Sequence, residues 1–413
     1  MFMRMHRLFA ATAILSLLLL LIAFSYTALI AQKAPPEPIT VQIAFYPYTP
    51  DRRALFLELE QEFERKNPGV NIELVEYSIL GGKKISLSED YYSGGAERVE
   101  ADIYEVDTIL LSDLIHVNKL APLQLPFKDF APEAVDAVTR NGVVYAVPHW
   151  RCGNFLFYKK GDTQIANAKT WSELVKILKD RKEHLFVDFY GKSTLGEWYL
   201  TALSDHVGLE EAGRRSLASS KPDPLVVKSL TELLEACPKG FCRSKDLHEN
   251  RVAYYARAFV RGESNVYIGY SESIHYGLQD AIHNCLPSSA CLKPDEIAVR
   301  SLPPFTDEPL GKGLGWVDGL AINKKLSGRK LQVALEFIKF AVSDEGYKLI
   351  LEPEWLEAPR YLLPARTGLN IKDAPLYAEF YNAHQGRETG KQKGLNDALR
   401  AVGSNLNSEL RSN

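Results

Sequence analysis

The chain has 413 residues and a formal net charge of −3, so its length allows two domains or one large bilobal unit. That near-neutral balance excludes the basic footprint of a nucleic-acid-binding protein. Tyr is plentiful (20, with 5 Trp against 3 Met). Such a composition suits contact with planar, polar small molecules through a ring face and a hydroxyl, and equally suits an exported, β-rich structure.

The first residues, MFMRMHR, carry Arg4 and Arg7 and no acid. Residues 8–31 follow without a charge, about the ~20 residues that cross a bilayer and longer than the usual apolar core of a cleaved leader. Residues 1–31 are therefore expected to be a signal peptide or an uncleaved signal anchor, the latter attached to the membrane through 8–31. The basic flank puts the rest of the chain outside the cytoplasm: periplasmic, secreted or membrane-anchored. A short Pro-rich linker, 32–38, leads into the body of the protein.

Alternation in VQIAFY predicts a first strand over 41–46. A helix over 51–67 follows, with Leu55, Phe56, Leu59 and Phe63 at helical spacing and Pro68-Gly69 as its stop. Strands are predicted over 71–77 and 101–106, separated by a loop-like insert, and a helix over 108–120 comes next. This β-α-β-β-α order points to an α/β lobe with a mostly parallel sheet. NGVVYAVPHW then leads into RCGNFLFYKKG, a long apolar crossing segment. A capping box, Thr170 to Glu173, opens a helix before LVKILKD. A second α/β set covers 184–270, including a helix over 222–236 and a strand over 264–270. IAVRSLPPF and GLGWVDGLAIN supply later strands, and a helix over 330–343 begins the helical C-terminal part.

A chain that leaves one lobe, builds a second and returns late fits two α/β lobes hinged around a central ligand cleft. Crossings are expected at 146–152 and 297–304. The division is 39–148 with 302–328 for lobe 1, and 149–301 with 329–413 for lobe 2.

Five cysteines sort into two close pairs, CPKGFC (Cys237, Cys242) and CLPSSAC (Cys285, Cys291), and a remainder, Cys152. In an oxidising compartment the pairs can form disulfides, and a lone thiol is either buried and inert or kept for its chemistry. His149, three residues away, would serve as base only across a sharp bend, because strand neighbours alternate faces. GYSES, at a predicted strand end, offers Glu272 as a partly buried acid/base, with helix capping by Ser271 and Ser273 as the bland alternative. Asp107 ends its strand and Asp318 sits in GWVDG, both suited to amino groups of a heteroaromatic ligand or to plain turn formation; Asp102 reads as an edge cap. No zinc pattern, Walker loop, Rossmann glycine signature or G-x-S-x-G elbow is present.

In order, IAFYPYTPD, ADIYEVDTILLSDLI, RNGVVYAVPHWRCGNFLFYKKGD, VYIGYSES and RYLLPAR resemble the thiaminase I family, the thiamine pyridinylases, over roughly residues 40–366. The resemblance implies a bilobal periplasmic-binding-protein type II-like fold, and a transferase that needs no cofactor. By matching position, Cys152 falls on the family's nucleophile and Glu272 on its general acid/base. Asp107 and Asp318 fall on carboxylates that hold the aminopyrimidine. Tyr46 or Tyr48, with Tyr92, Tyr255 and Tyr270, fall on aromatics of the pocket, and Trp316 stands where a Tyr is expected. The implied substrates are thiamine and an organic base or other nucleophile, on a monomeric enzyme. A non-catalytic receptor for thiamine or a related solute is the alternative.

Overall fold

The computed structural model describes residues 38–47, 52–75, 91–251, 253–285, 291–352, 357–369, 371 and 376–412. The N-terminal apolar segment, most of the linker, Tyr48, Asp51 and the insert before residue 91 lie outside the described residues. The first strands are β1 (Ile39–Ala44), β2 (Val70–Leu74), β3 (Ile103–Asp107), the short hairpin β4 (Thr139–Arg140) and β5 (Val143–Val144), and β6 (Val147–Cys152). They are followed by β7 (Asn154–Lys159), β8 (Leu185–Val187), β9 (Val266–Tyr270), β10 (Ile297–Arg300), β11 (Trp316–Ile322) and β12 (Leu363–Pro364).

Two sheets organise the molecule, one in each lobe. The first runs β12-β6-β11-β3-β1-β2 and the second β10-β7-β9-β8. β1 pairs in parallel with β2 and β3, as the opening β-α-β pattern predicts, but β11 enters antiparallel between β3 and β6. The first sheet is therefore mixed rather than mostly parallel. The cause is the late return of the chain, which brings β11 back from the second lobe in the opposite direction.

The change of lobe is abrupt. β6 ends at Cys152 in the first sheet and β7 begins at Asn154 in the second, so Gly153 is the crossing and the boundary expected at 148/149 moves by four residues. A side chain at Gly153 has no room, since a Cβ would stand 2.1 Å from the Arg387 guanidinium. That guanidinium is buried and donates to the Asn154 carbonyl at 2.8 Å and the Leu314 carbonyl at 3.4 Å, tying both crossings together. His384 adds a contact from Nε2 to the Cys152 carbonyl at 3.1 Å.

The return also comes later than expected. Leu302 and Phe305 still pack on the second lobe's core, with the Phe305 ring 5.5 Å from that of Trp171. The assignment of 329 onward to lobe 2 is corrected as well. The helix Gly328–Ala341 packs on β1 and β11, and the helix Asp344–Leu351 packs on the helix Arg52–Lys66. Val333, Ala334, Phe337 and Ile338 are buried there, an apolar stripe that the open face of the first sheet needs for its core. β12 then closes the edge of β6, and the chain goes back to the second lobe only afterwards.

Local signals hold in the second lobe. Thr170 caps the helix Trp171–Arg181 by accepting from the Glu173 amide at 3.3 Å, and Glu173 reaches back to the Lys169 amide at 2.6 Å. The helix Lys192–Val207 lies against the C-terminal helix Leu395–Ser412 at two glycines. A Cβ at Gly403 would meet the Lys192 carbonyl at 2.0 Å, and one at Gly196 the Leu399 carbonyl at 2.5 Å. That close approach fixes the helix that carries Glu197.

Cys237–Cys242 and Cys285–Cys291 are disulfides and Cys152 is the free thiol. Alkylation of the unfolded protein without reductant should label Cys152 alone by peptide mass spectrometry. Label on Cys237, Cys242, Cys285 or Cys291 would refute the pairing.

Candidate active site

Three strands build the floor of the cleft. In the register of β6, β11 and β3, Cys152 stands opposite Trp316, while Asp318 stands opposite both Trp150 and Asp107. Residues two apart on a strand share a face, so Trp316 and Asp318 point the same way as Cys152 and Asp107. The Cys152 Sγ–H donates to Asp318 Oδ2 at 3.3 Å. Cys152 touches both apolar cores, as a residue at a lobe crossing should.

The register slips at Asp318/Gly319, where β6 carries the extra residue His149. This bulge sends His149 Nδ1 to Glu105 Oε1, 2.6 Å away, with both side chains fully buried. Glu105 also accepts from the Tyr46 amide at 2.9 Å. His149 thus secures the scaffold beneath the floor. Arg151, next to the thiol in sequence, pairs with Glu133 at 3.0 Å and lies over the Tyr381 ring.

The walls come from three other places. Tyr92 donates to Asp107 Oδ2 at 2.7 Å and its hydroxyl meets that of Tyr46 at 2.7 Å, a file of two phenols ending on a carboxylate. Asp107 Oδ1 accepts from the Ile109 amide at 3.0 Å, which fixes the carboxylate plane. From the second lobe, Tyr270 ends β9 and Glu272 begins the helix Ser273–Asn284, so Glu272 is held where a strand turns into a helix. Ser271 donates to Glu272 Oε2 at 3.3 Å. Tyr255 borders the cavity, but its hydroxyl is spent on the Phe241 carbonyl at 2.8 Å, leaving a ring face.

These groups border one cavity of about 430 Å³, inside the range of small-molecule sites. It brings together Cys152, Glu272, Asp107 and Asp318 with the rings of Tyr46, Tyr92, Tyr255, Tyr270 and Trp316. Asp102 stays outside it, accepting from the Gln42 amide at 2.7 Å and pairing with Lys330 at 2.7 Å.

Sequence reasoning missed Glu197. It projects from the helix Lys192–Val207 into the same cavity, accepting from the Tyr270 hydroxyl at 2.6 Å and from the Asn154 side-chain Nδ2 at 3.0 Å. The available signal was an acid among Leu195, Trp198, Tyr199 and Leu200, on a helix otherwise buried there.

Burial shifts the four carboxyls and the thiol of this site upward. Burial raises Glu272 to about 7 against a donating Ser271, and raises Glu197 to about 7. Burial raises Asp107 to about 6, opposed by the amide of Ile109 and the hydroxyl of Tyr92. Asp318 lies well above the usual carboxylate range through burial and then the charges of Asp107 and Glu105. The Cys152 thiol is pushed well up by burial, then by Asp318 and Glu272. A thiol in this setting is protonated at rest and needs a base to become a nucleophile.

Residues 58–375 match the family described as bacterial extracellular solute-binding protein, and the chain belongs to that family. The chain is similar to thiaminase-1 of Paenibacillus thiaminolyticus, 27% identical over 385 residues that cover 88% of this chain and 85% of that protein. Thiaminase I of Clostridium botulinum in complex with thiamin superposes with a TM-score of 0.73 at 20% identity, covering 90% of this chain and 100% of that one. A maltose-bound T. maritima MalE3 superposes at 0.56 and 18% identity, covering 91% and 99%. The fold is thus shared between thiaminases and sugar receptors. The cavity has to decide between those activities.

Because burial raises Glu272, its ionised form costs stability. That penalty is absent below the ordinary carboxyl value of 4.5, grows as pH rises from there to about 7, and is fully present above it. Glu272→Gln should therefore raise the melting temperature by a few degrees at pH 8, on the order of 1–3 kcal/mol, and change it little at pH 4. A thermal melt in which the variant is equally or less stable at pH 8 contradicts the buried, uncompensated carboxylate.

Proposed function

We propose that this protein is a thiamine-cleaving transferase of the thiaminase I type. The observation that carries the reading is a thiol, Cys152, protonated by its surroundings and sharing one aromatic-lined cavity with a carboxyl, Glu272, whose affinity for protons is matched to neutral pH. A receptor needs the rings and the hydrogen-bonding carboxylates. It has no use for a nucleophile that shares its cavity with a tuned base.

In this reading the pyrimidine of thiamine lies among Tyr46, Tyr92, Tyr270 and Trp316, with its exocyclic amino group donating to Asp107 or Asp318. Glu272 takes the proton of Cys152. The sulfur pair then forms a bond to the pyrimidine carbon beside a ring nitrogen, which breaks the ring's aromaticity. The bond from the bridging methylene to the thiazolium nitrogen breaks, its pair stays on nitrogen, and neutral thiazole leaves. An organic base or other nucleophile bonds to the methylene, the carbon–sulfur bond breaks, and the departing sulfur recovers its proton from Glu272. Covalent catalysis here replaces one hard displacement by easier steps. The protein acts outside the cytoplasm, as a monomer whose leader or anchor precedes the cleft-bearing body.

Family membership favours one other reading, a receptor that binds thiamine without cleaving it. Product analysis separates the two. With thiamine and pyridine, the wild-type protein should release free thiazole, and Cys152→Ser should release none above background. The receptor reading stands instead if wild type binds thiamine and releases no thiazole.

The same assay predicts a pH profile. Glu272 must be ionised to accept the thiol proton in the thiamine half-reaction, so kcat/KM for thiamine, at fixed pyridine, should rise from acid pH with an apparent pKa near 7. Glu272→Gln should lower kcat/KM by about 100-fold or more and remove that limb. A variant that keeps wild-type turnover and an unchanged profile would take the base role away from Glu272.

A further inference from the structure

The mechanism above leaves Glu197, a half-buried acid that borders the cavity, unused. Glu197 stands on a helix that close glycine contacts hold in place, with both carboxylate oxygens accepting hydrogen bonds, from Tyr270 at 2.6 Å and from Asn154 at 3.0 Å. Asn154 and Tyr270 are register partners across β7 and β9, so two strands and a helix fix a single network at the second lobe's side of the cleft. The Trp316 side chain flanks it from the first sheet. The phenol of Tyr270 is close enough to Cys152 for the charge of the sulfur to act on it. Glu272 lies outside this network, accepting from Ser271, and the proposed mechanism already assigns it the thiol proton.

We infer that Glu197 and Tyr270 form a second proton-accepting unit, which takes the proton of an incoming nucleophile that carries one. The inference rests on the thiaminase reading and extends it from the thiamine half-reaction to the co-substrate. When a primary amine attacks, its nitrogen pair forms the bond to the methylene carbon. Its N–H proton passes to the Tyr270 oxygen as the Tyr270 O–H proton passes to Glu197 Oε2. The ring expels Cys152, whose sulfur keeps the carbon–sulfur pair and takes its proton from Glu272. Glu197 afterwards returns its proton to solvent. A tertiary aromatic base such as pyridine has no proton to give up, so it places no demand on this unit. The second carboxyl would thus widen the range of accepted nucleophiles to protic ones.

Burial raises Glu197 to about 7, suiting it to take up and release a proton near neutrality, and burial with the neighbouring Glu197 charge holds Tyr270 in its protonated, donating form. A purely structural Glu197 would orient the Tyr270 ring and affect every nucleophile alike.

The test compares aniline with pyridine as co-substrate at fixed thiamine, scoring free thiazole and transferred product. Glu197→Gln should lower the ratio of aniline to pyridine turnover by about 10–100-fold, and Tyr270→Phe, which keeps the ring, should lower it similarly. Glu272→Gln should depress both nucleophiles in parallel and leave the ratio near wild type. An unchanged ratio in Tyr270→Phe and in any folded Glu197→Gln protein overturns the inference while leaving the thiaminase reading intact. Wild-type protein that transfers to neither nucleophile overturns both.

Discussion

The pairing of β6 with β11 is the constraint on which the site depends. It sets Cys152 opposite Trp316 and brings Asp318 to 3.3 Å from the sulfur, while β11's other neighbour places Asp107 opposite Asp318. Since side chains change faces at every residue, a slip of one position would put the thiol and its carboxylate on opposite sides of the sheet. The register is defended from several sides. Arg387 binds both crossings, His384 holds the Cys152 carbonyl, and the bulge at His149 is locked by Glu105 below and by the Tyr347 hydroxyl on its carbonyl at 2.7 Å.

That arrangement concentrates acids of one sign around a single thiol. Asp107, Asp318, Glu197 and Glu272 all face the same enclosed space, where separated charges are expensive. The consequence is a site that holds protons rather than releasing them, with carboxyls raised toward neutrality and the thiol raised above it. Two features make this productive. Asp107 and Glu197 each accept two hydrogen bonds from groups held by the surrounding elements, which fixes their carboxylates in place. The raised values also bring proton affinity close to working pH, where transfers in both directions cost little. A sugar receptor on the same scaffold has no need to accept this electrostatic cost.

Much of this was legible from residues alone. Cys152 stood out as the thiol left by two close pairs, and both disulfides are present. Strand-end placement pointed to Asp107, Tyr270 and Glu272, which all border the cavity, because strand ends at a lobe boundary open onto a cleft. Other features were beyond a linear reading. The mixed sheet follows from the direction in which β11 returns, which a strand pattern does not encode. The helix Gly328–Ala341 shows its apolar stripe in sequence but not which sheet it covers. Glu197 lies in a helix whose partner, Leu395–Ser412, comes almost two hundred residues later, so its orientation is a tertiary fact. Arg387 and His384 are polar residues near the C-terminus whose burial depends on the crossing they clamp.

The central claim is that Cys152 forms a bond to the pyrimidine half of thiamine before any other nucleophile arrives. A rapid-quench experiment with thiamine in excess and no added base addresses it directly, with peptide mass spectrometry on the quenched protein. The account predicts a burst of free thiazole equal to the enzyme concentration, with the pyrimidinylmethyl mass on the peptide bearing Cys152. Thiazole release without a protein adduct, or an adduct on another residue, would contradict it.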